Sequence, residues 1–203
     1  MGLKIVAGSA KGRKLRGPKS KGIRPAAARV RESLFQILGD LSGKRVLDLF
    51  AGTGSMGLEA LSRGADSVVF VDPNQAAVSL LFHNLGLTGF QEKAHVIKKK
   101  AAAAIEFLHK KGYRYDLIFL DPPYDKGFVD ATLKKLKAFP LLAPEGLLLC
   151  EHSPRESPAF LSGLEVADLR KYGQTTVTFL KETPCAAKSP STPAPSTRPP
   201  SGT

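Results

Sequence analysis

VLDLFAGTGSMGLEA, residues 46–60, decides how the rest of the chain is read. Val46, Leu47, Leu49 and Phe50 form an apolar run short enough for a buried strand. The pattern breaks at Ala51-Gly52-Thr53-Gly54 and resumes at helical spacing through Leu58 and Leu61. A strand, a glycine turn and a helix start follow one another. Gly52 and Gly54 let the turn take positive φ and let a ligand approach the first N–H groups of the helix, so the turn reads as a seat for a nucleoside cofactor.

Two kinds of cofactor compete for that seat. Gly52-x-Gly54-x-x-Gly57 satisfies the dinucleotide fingerprint, and Asp72 lies where that motif expects an acid. Asp48, however, is a carboxylate inside the strand. It would repel a pyrophosphate and suits the ammonium of S-adenosylmethionine, whose ribose diol Asp72 can bind as acceptor. S-adenosylmethionine is the preferred reading and a dinucleotide the alternative.

The bulk composition points to a polyanionic partner. The 203 residues are 42% hydrophobic, enough for one core, and 30 Lys and Arg against 18 acids give a formal charge of +12. Nucleic acid leads the list of partners. Two cysteines, Cys150 and Cys185, make no disulfide framework, and His83, His95, His109 and His152 show no ligand spacing, so no metal is expected. No apolar run reaches a membrane span and the start lacks a signal-peptide core. The expectation is a cytoplasmic monomer without a membrane anchor.

Charge is concentrated at the start of the chain. Residues 1–31 hold no acid, while Lys4, Lys11, Arg13, Lys14, Arg16, Lys19, Lys21, Arg24, Arg29 and Arg31 accumulate there. Residues 3–7 and 13–15 read as two short strands around a turn at 8–12, a basic hairpin. Residues 26–38 read as an amphipathic helix with Val30, Leu34, Ile37 and Leu38 on its buried stripe and Arg31 off it. Lys11, Arg13, Lys14, Arg16, Arg24 and Arg29 are the candidate RNA contacts, since Arg and Lys suit phosphate.

Beyond the glycine turn, strands are expected at 67–71, 94–97, 115–120 and 146–150, helices at 74–85, 101–108 and 130–138, and two closing strands at 164–171 and 175–180. The helix at 74–85 is expected to start at an Asn74 cap and to bury Ala77, Leu80, Leu81 and Leu85. Alternation of strand and helix means an α/β fold, a Rossmann-like parallel sheet with helices on both faces. Ligands of such sheets sit at the carboxyl ends of the strands, where Phe50, Gly52, Asp72 and Asp121 fall. The organisation expected is a basic hairpin and helix over 1–40, a catalytic domain over 41–182 and a disordered Pro/Ser/Thr tail over 183–203.

Asp121-Pro122-Pro123-Tyr124 follows the most apolar strand directly. The prolines remove N–H donors and stiffen the corner, so the Asp121 carboxylate and the Pro122 carbonyl can act as fixed acceptors beside an aromatic platform, Tyr124. Two acceptors gripping the hydrogens of an aromatic exocyclic amine free its delocalised lone pair and stabilise the charge built on nitrogen during alkylation.

These motifs resemble the bacterial family of small-subunit (16S) ribosomal RNA guanine-N2 methyltransferases, from residue 1 to about residue 181. The glycine-turn stretch and Asp-Pro-Pro-Tyr are shared by many amino-methyltransferases. Ile5-Val6-Ala7-Gly8, Lys11-Gly12-Arg13-Lys14-Leu15, Arg24-Pro25, Arg29-Val30-Arg31-Glu32 and Leu34-Phe35 match this family in particular. The resemblance implies a class I methyltransferase fold with a seven-stranded, mostly parallel sheet, S-adenosylmethionine as donor, and a guanine of rRNA or of a small-subunit assembly particle as acceptor. It implies that Asp48, Phe50, Ala51, Gly52, Thr53 and Gly54 line the cofactor site with Asp72 at the ribose, and that Asp121, Pro122, Pro123 and Tyr124 hold the target. Around the adenine the family carries an acid or amide where this chain has Lys99, Lys100, Ala101 and Ala102, which leaves the adenine to backbone N–H groups at Lys100 and Ala101. The family's polar residues after its Arg-Pro pair are replaced by Ala26, Ala27 and Ala28. The alternatives are an adenine-N6 or other amino-methyltransferase acting on RNA or DNA, and a non-catalytic RNA-binding assembly factor.

Overall fold

The computed structural model describes residues 3–18, 25–156 and 163–183. Lys19, Lys21, Arg24, Cys185 and the expected tail from residue 184 onward lie outside the described residues. In chain order the elements are α1 (Pro25–Leu38), β1 (Arg45–Leu49), α2 (Ser55–Ser62), β2 (Ser67–Val71), α3 (Gln75–Thr88), β3 (Ala94–Ile97), α4 (Ala101–Lys110), β4 (Tyr115–Leu120), α5 (Phe128–Ala138), β5 (Leu142–His152), β6 (Leu164–Tyr172) and β7 (Thr175–Glu182). One seven-stranded sheet runs in the order β3-β2-β1-β4-β5-β7-β6. The first five strands in that row are parallel, and β7 is antiparallel to both of its neighbours.

Burial explains why β1 and β4 read as continuous apolar runs, since both of their faces are covered. Side chains of Val46, Phe70, Leu117, Phe119, Leu149, Val177 and Phe179 point to one face, against α1 and α2. Leu47, Leu49, Ile118, Leu120, Leu148, Cys150 and Leu180 point to the other, against α4 and α5. Asn74 caps α3, its Oδ1 accepting from the N–H groups of Ala76 and Ala77 at 2.8 and 3.3 Å. Within α3, Leu81 and Leu85 are buried as expected, Ala77 and Leu80 only half so, and Asn84 is fully enclosed.

The amino-terminal segment departs from expectation in its strands and in the buried face of its helix. Instead of two strands it forms one bridge, Lys4 with Lys14, flanked by the backbone bonds Ile5 N–H to Arg13 O (3.0 Å) and Leu15 N–H to Leu3 O (2.8 Å). Leu3, Ile5, Ala10 and Leu15 enter the same core as α1 and the sheet, so the hairpin and the domain share one apolar interior. On α1, Phe35 is fully buried while Ile37 is 45% exposed, so the buried stripe runs through Val30, Leu34 and Phe35 and leaves Ile37 out. Arg31, expected on the solvent face, is buried and donates from Nη2 to the Lys4 carbonyl at 2.8 Å, tying helix to hairpin. Pro25 takes the first helical position, where its missing N–H costs nothing.

Among the described residues no helix is long and apolar enough to cross a membrane, and no group of three or more His, Cys, Asp or Glu could hold a metal ion.

Candidate active site

Strand register sets the geometry of the site. Leu49 pairs with Val71 on one side and Leu120 on the other, and Leu120 pairs with Cys150. The residues one step further along, Asp72, Phe50, Asp121 and Glu151, therefore form a row along the carboxyl edge of the sheet. Adjacent strands lie about 4.8 Å apart, so Asp72 and Asp121 stand about 10 Å from one another, one on each side of the β1 end. The glycine turn rises from the middle of this row. Its expected partners are thus gathered at one edge, as the position of a ligand site at strand ends requires.

Backbone bonds shape the turn. Phe50 takes a left-handed conformation with φ 65°, uncommon for a bulky side chain, and its ring meets Phe128 at 5.9 Å between centroids. Ala51 N–H bonds the Val71 carbonyl at 2.9 Å, and Gly54 N–H bonds that of Ala51 at 2.7 Å. Gly54 has φ 79°, rarely adopted by a residue with a side chain, and a Cβ there would stand 2.3 Å from Leu81 Cδ1, so the buried Leu81 side chain would have to move. At Gly52 a Cβ would meet nothing closer than the Phe50 carbonyl at 3.9 Å. The chain at Gly52 borders open space, which fits a ligand lying along it. Thr53 is held from α3, where Asn84 Nδ2 donates to its carbonyl at 2.9 Å.

Both acids expected at the cofactor are engaged with the turn. Asp72 is half-buried, its Oδ2 accepting from Gly52 N–H at 2.9 Å and its Oδ1 from Asn74 N–H at 2.8 Å. Each oxygen retains acceptor capacity for a ribose hydroxyl. Asp48 is almost completely buried and accepts from Gly57 N–H at 3.0 Å, capping from β1 a helix whose own Gly54 cap has no side chain. Burial, followed by the nearby Asp72 charge and opposed by the Gly57 N–H, pushes its carboxyl up to about 7. A buried carboxyl with that poise gains from a cation placed beside it. On the far side, no side chain caps the start of α4 after the exposed Lys100, and buried Ala101 opens the helix. Open space along Gly52, a carboxylate ready for a cation, an acceptor acid and an uncapped helix start fit the methionine, ribose and adenine parts of S-adenosylmethionine.

The double-proline corner is braced by residues that the sequence does not announce. Asp121 and Pro123 are exposed and Pro122 is buried. The Tyr124 hydroxyl donates to Glu151 Oε1 at 2.5 Å and lies 3.0 Å from the Thr175 hydroxyl, so the ring is fixed across the β5–β7 seam. Burial and the adjacent Glu151 charge raise its pKa and keep the phenol protonated. Glu156 bonds Asp125 N–H at 3.1 Å through one oxygen and Ser153 N–H at 3.0 Å through the other, clamping the corner to the loop after β5. Glu151, Glu156 and Thr175 occur at positions with no motif spacing to Tyr124, and only the sheet order brings them there.

Of the candidate RNA contacts, Lys11, Arg13, Lys14, Arg16 and Arg29 are exposed, and Arg24 lies outside the described residues. The hairpin that carries the first four is anchored on α2. Buried Glu59 accepts from Val6 N–H at 2.8 Å and Ala7 N–H at 3.0 Å and pairs with Arg63 at 2.9 Å. Asn84 binds the Arg16 backbone on both sides, accepting from its N–H at 2.8 Å and donating to its carbonyl at 3.0 Å. The same Asn84 holds Thr53, so hairpin and cofactor turn share one support.

Comparison with known proteins agrees with this fold. The family model described as Conserved hypothetical protein 95 matches residues 3–181. The YlbH protein of Bacillus subtilis (strain 168) is 34% identical over 182 residues, covering 89% of this chain and 99% of the relative. Ribosomal RNA small subunit methyltransferase D of Escherichia coli (strain K12) is 37% identical over 150 residues, covering 73% and 74%. The solved structure of yhhF from Escherichia coli superposes with a TM-score of 0.77 at 29% identity, covering 89% of this chain and 97% of that one.

Proposed function

The chain belongs to the Conserved hypothetical protein 95 family and is an S-adenosylmethionine-dependent methyltransferase of ribosomal RNA, and we propose that its acceptor is the exocyclic N2 amine of a guanine in small-subunit (16S) rRNA. The observation that carries the reading is the edge row Asp72, Phe50, Asp121 and Glu151, which puts the double-proline corner one strand from the glycine turn. The amino-terminal residues shared with the guanine-N2 family support the choice of guanine over adenine. The reaction takes place in the cytoplasm, on rRNA or on a partly assembled subunit.

S-adenosylmethionine supplies an electrophilic methyl group on its sulfonium. Asp48 would pair with its ammonium, Asp72 with its ribose, and the backbone at Lys100 and Ala101 would meet its adenine. Asp121 and the Pro122 carbonyl accept the two hydrogens of the target amine, which aims the nitrogen lone pair and stabilises the positive charge that grows on it. Asp121 then takes the proton that the alkylated nitrogen sheds. The Tyr124 ring, immobilised by Glu151 and Thr175, stacks on the base. A paired base could not reach this edge, so the target is unpaired or extruded, with the hairpin cations holding phosphates nearby.

Incubating the protein with unmodified 16S rRNA transcript and methyl-labelled S-adenosylmethionine, followed by nucleoside mass spectrometry, tests the assignment. N2-methylguanosine is expected. Methyladenosine would redirect the chemistry to adenine N6, and no transfer to transcript or to small-subunit particles would overturn the reading.

A further inference from the structure

The Tyr124 corner does not end at Thr175. Thr175 pairs with Tyr172 at the β6–β7 turn, and the Tyr172 hydroxyl meets the Ser33 hydroxyl of α1 at 2.9 Å. The hydroxyl contact of Tyr124 with Thr175, the strand pairing of Thr175 with Tyr172 and the hydroxyl contact of Tyr172 with Ser33 thus connect the corner, along the carboxyl edge of the sheet, to α1. Beside it opens a cleft of about 470 Å³ between α1 and β6, lined by Ser33, Gln36, Ile37, Arg170, Lys171 and Tyr172.

Its position follows from the topology. Because β7 is antiparallel to β5, with His152 opposite Thr176, β7 begins at the carboxyl edge, and β6, antiparallel to β7, ends there. The α1 helix lies between the basic hairpin, to which Arg31 binds it, and β6, to which Ser33 binds it. The cleft and the hairpin therefore flank α1 on opposite sides.

Its chemistry is that of a single-stranded nucleic-acid contact. Arg170 and Lys171 are exposed, Ile37 is 45% exposed and Tyr172 is half-buried, so cations stand beside apolar and aromatic surface. Arg29 lies one helical turn from Ser33 on α1 and is exposed. The Arg170 partner, Asp168 at 2.7 Å, forms an exposed pair of the kind that a phosphate can displace at small cost. Glu32 is the exposed acid on the same turn of α1, and it leaves the three cations in excess.

We infer that the cleft between α1 and β6 is a second RNA-contact surface, which grips the acceptor strand on the other side of α1 from the basic hairpin. The inference rests on the proposed RNA methyltransferase reading. Holding the strand on both sides offsets the cost of unstacking one base, which a single anchor beside the site cannot do by fixing only one flank.

The test uses the full chain, unmodified 16S rRNA transcript and S-adenosylhomocysteine as cofactor probe. Arg170→Gln with Lys171→Gln should raise the RNA Kd about tenfold at 0.1 M salt and make the plot of log affinity against log salt shallower by about 1.4, two single-strand phosphate contacts at about 0.7 each. Gln36→Glu, a change on the exposed helix face, should weaken RNA binding while leaving the Ser33–Tyr172 contact in place. In both variants S-adenosylhomocysteine affinity should be unchanged, and methylation should show a raised KM for RNA with kcat largely kept. If the variants bind RNA with unaltered affinity and slope while the parent chain methylates the transcript, the cleft is not an RNA surface and the functional reading stands. If the parent chain neither binds nor methylates 16S rRNA, as transcript or in small-subunit particles, the functional reading fails and the cleft proposal with it.

Discussion

The Tyr124 hydroxyl donates to the Glu151 carboxylate at 2.5 Å, joining the proline corner after β4 to the end of β5. A hydrogen bond to a charged acceptor of this kind contributes about 1.5–3 kcal/mol, and here it holds the aromatic ring proposed to stack on the target base. Tyr124→Phe keeps the ring and removes the tether. Its kcat/KM for rRNA should fall about tenfold, the equivalent of about 1.4 kcal/mol, with S-adenosylhomocysteine affinity unchanged. Glu151→Gln, which still offers an acceptor, should lose less. Combined with Tyr124→Phe it should add almost nothing, and full additivity in that double-variant cycle would show that the contact does not matter to turnover.

Asp121 is expected to act on the transition state and not on binding. Asp121→Ala should lower kcat by about 10²- to 10³-fold, the range for loss of one oriented electrostatic partner. RNA and cofactor affinities should stay within about twofold. Asp121→Asn should recover part of the rate, because an amide oxygen still accepts one hydrogen of the target amine. Single-turnover assays with saturating rRNA separate these effects, and a parallel loss of RNA affinity would make the residue a structural one.

Much of the candidate site is legible in the sequence because it rests on local signals. A glycine turn between an apolar strand and a helix, and two prolines after another strand, declare themselves at short range, and the register then brings Asp72, Phe50 and Asp121 into one row. What stayed hidden depends on pairing across the sheet. Glu151 meets Tyr124 because β5 pairs with β4, and Thr175 because β7 lies antiparallel beside β5. Glu59 reads as an ordinary helical acid until the hairpin lays two N–H groups on it. Arg31 departs from its expected solvent face for the same reason, since helical periodicity does not show that the Lys4 carbonyl of the hairpin accepts from its guanidinium.

The exposed cations of the hairpin should act through phosphate contacts. Reversing Arg13 and Arg16 to Glu should weaken binding of 16S rRNA transcript more than tenfold and flatten its salt dependence, without changing cofactor affinity. The Arg16 backbone carries the Asn84 bonds, so a side-chain change leaves that anchor intact. Titrations at several salt concentrations read the slope, and an unaltered slope would remove the hairpin from the RNA surface.

Glu59 should matter to folding far more than its place on α2 implies. Its side chain is fully buried, binds Val6 and Ala7 N–H, and pairs with Arg63, which in turn donates to the Phe35 carbonyl at 3.0 Å. Glu59→Ala strands two donors and a partly buried guanidinium, and losses of this type run to about 3–5 kcal/mol. Denaturant unfolding should show that decrease, with Glu59→Gln intermediate because it can still accept hydrogen bonds. Equal stability of Glu59→Ala and the parent would mean that the hairpin contributes nothing to the fold.

Asp48 gives the site a pH dependence whose sign can be worked out. Burial, with the Asp72 charge adding to it, pushes its carboxyl up to about 7, so the folded protein without cofactor holds a proton there that the unfolded chain releases near pH 4. Stability from this group is therefore fully present at low pH and is lost as pH rises from about 4 to about 7. A cation beside Asp48 favours its charged form, so binding of S-adenosylmethionine with its ammonium there, as proposed, should expel the proton. Affinity should then climb with pH, by up to about tenfold per unit below 7, and level off at neutrality, where the carboxylate is already formed. Calorimetry between pH 5.5 and 7.5, in buffers of differing ionisation enthalpy, should register close to one proton released per cofactor at pH 6. Asp48→Asn should bind weakly with no slope in this window. A parent protein whose affinity is flat across it would place the ammonium elsewhere and leave Asp48 with only the capping of α2.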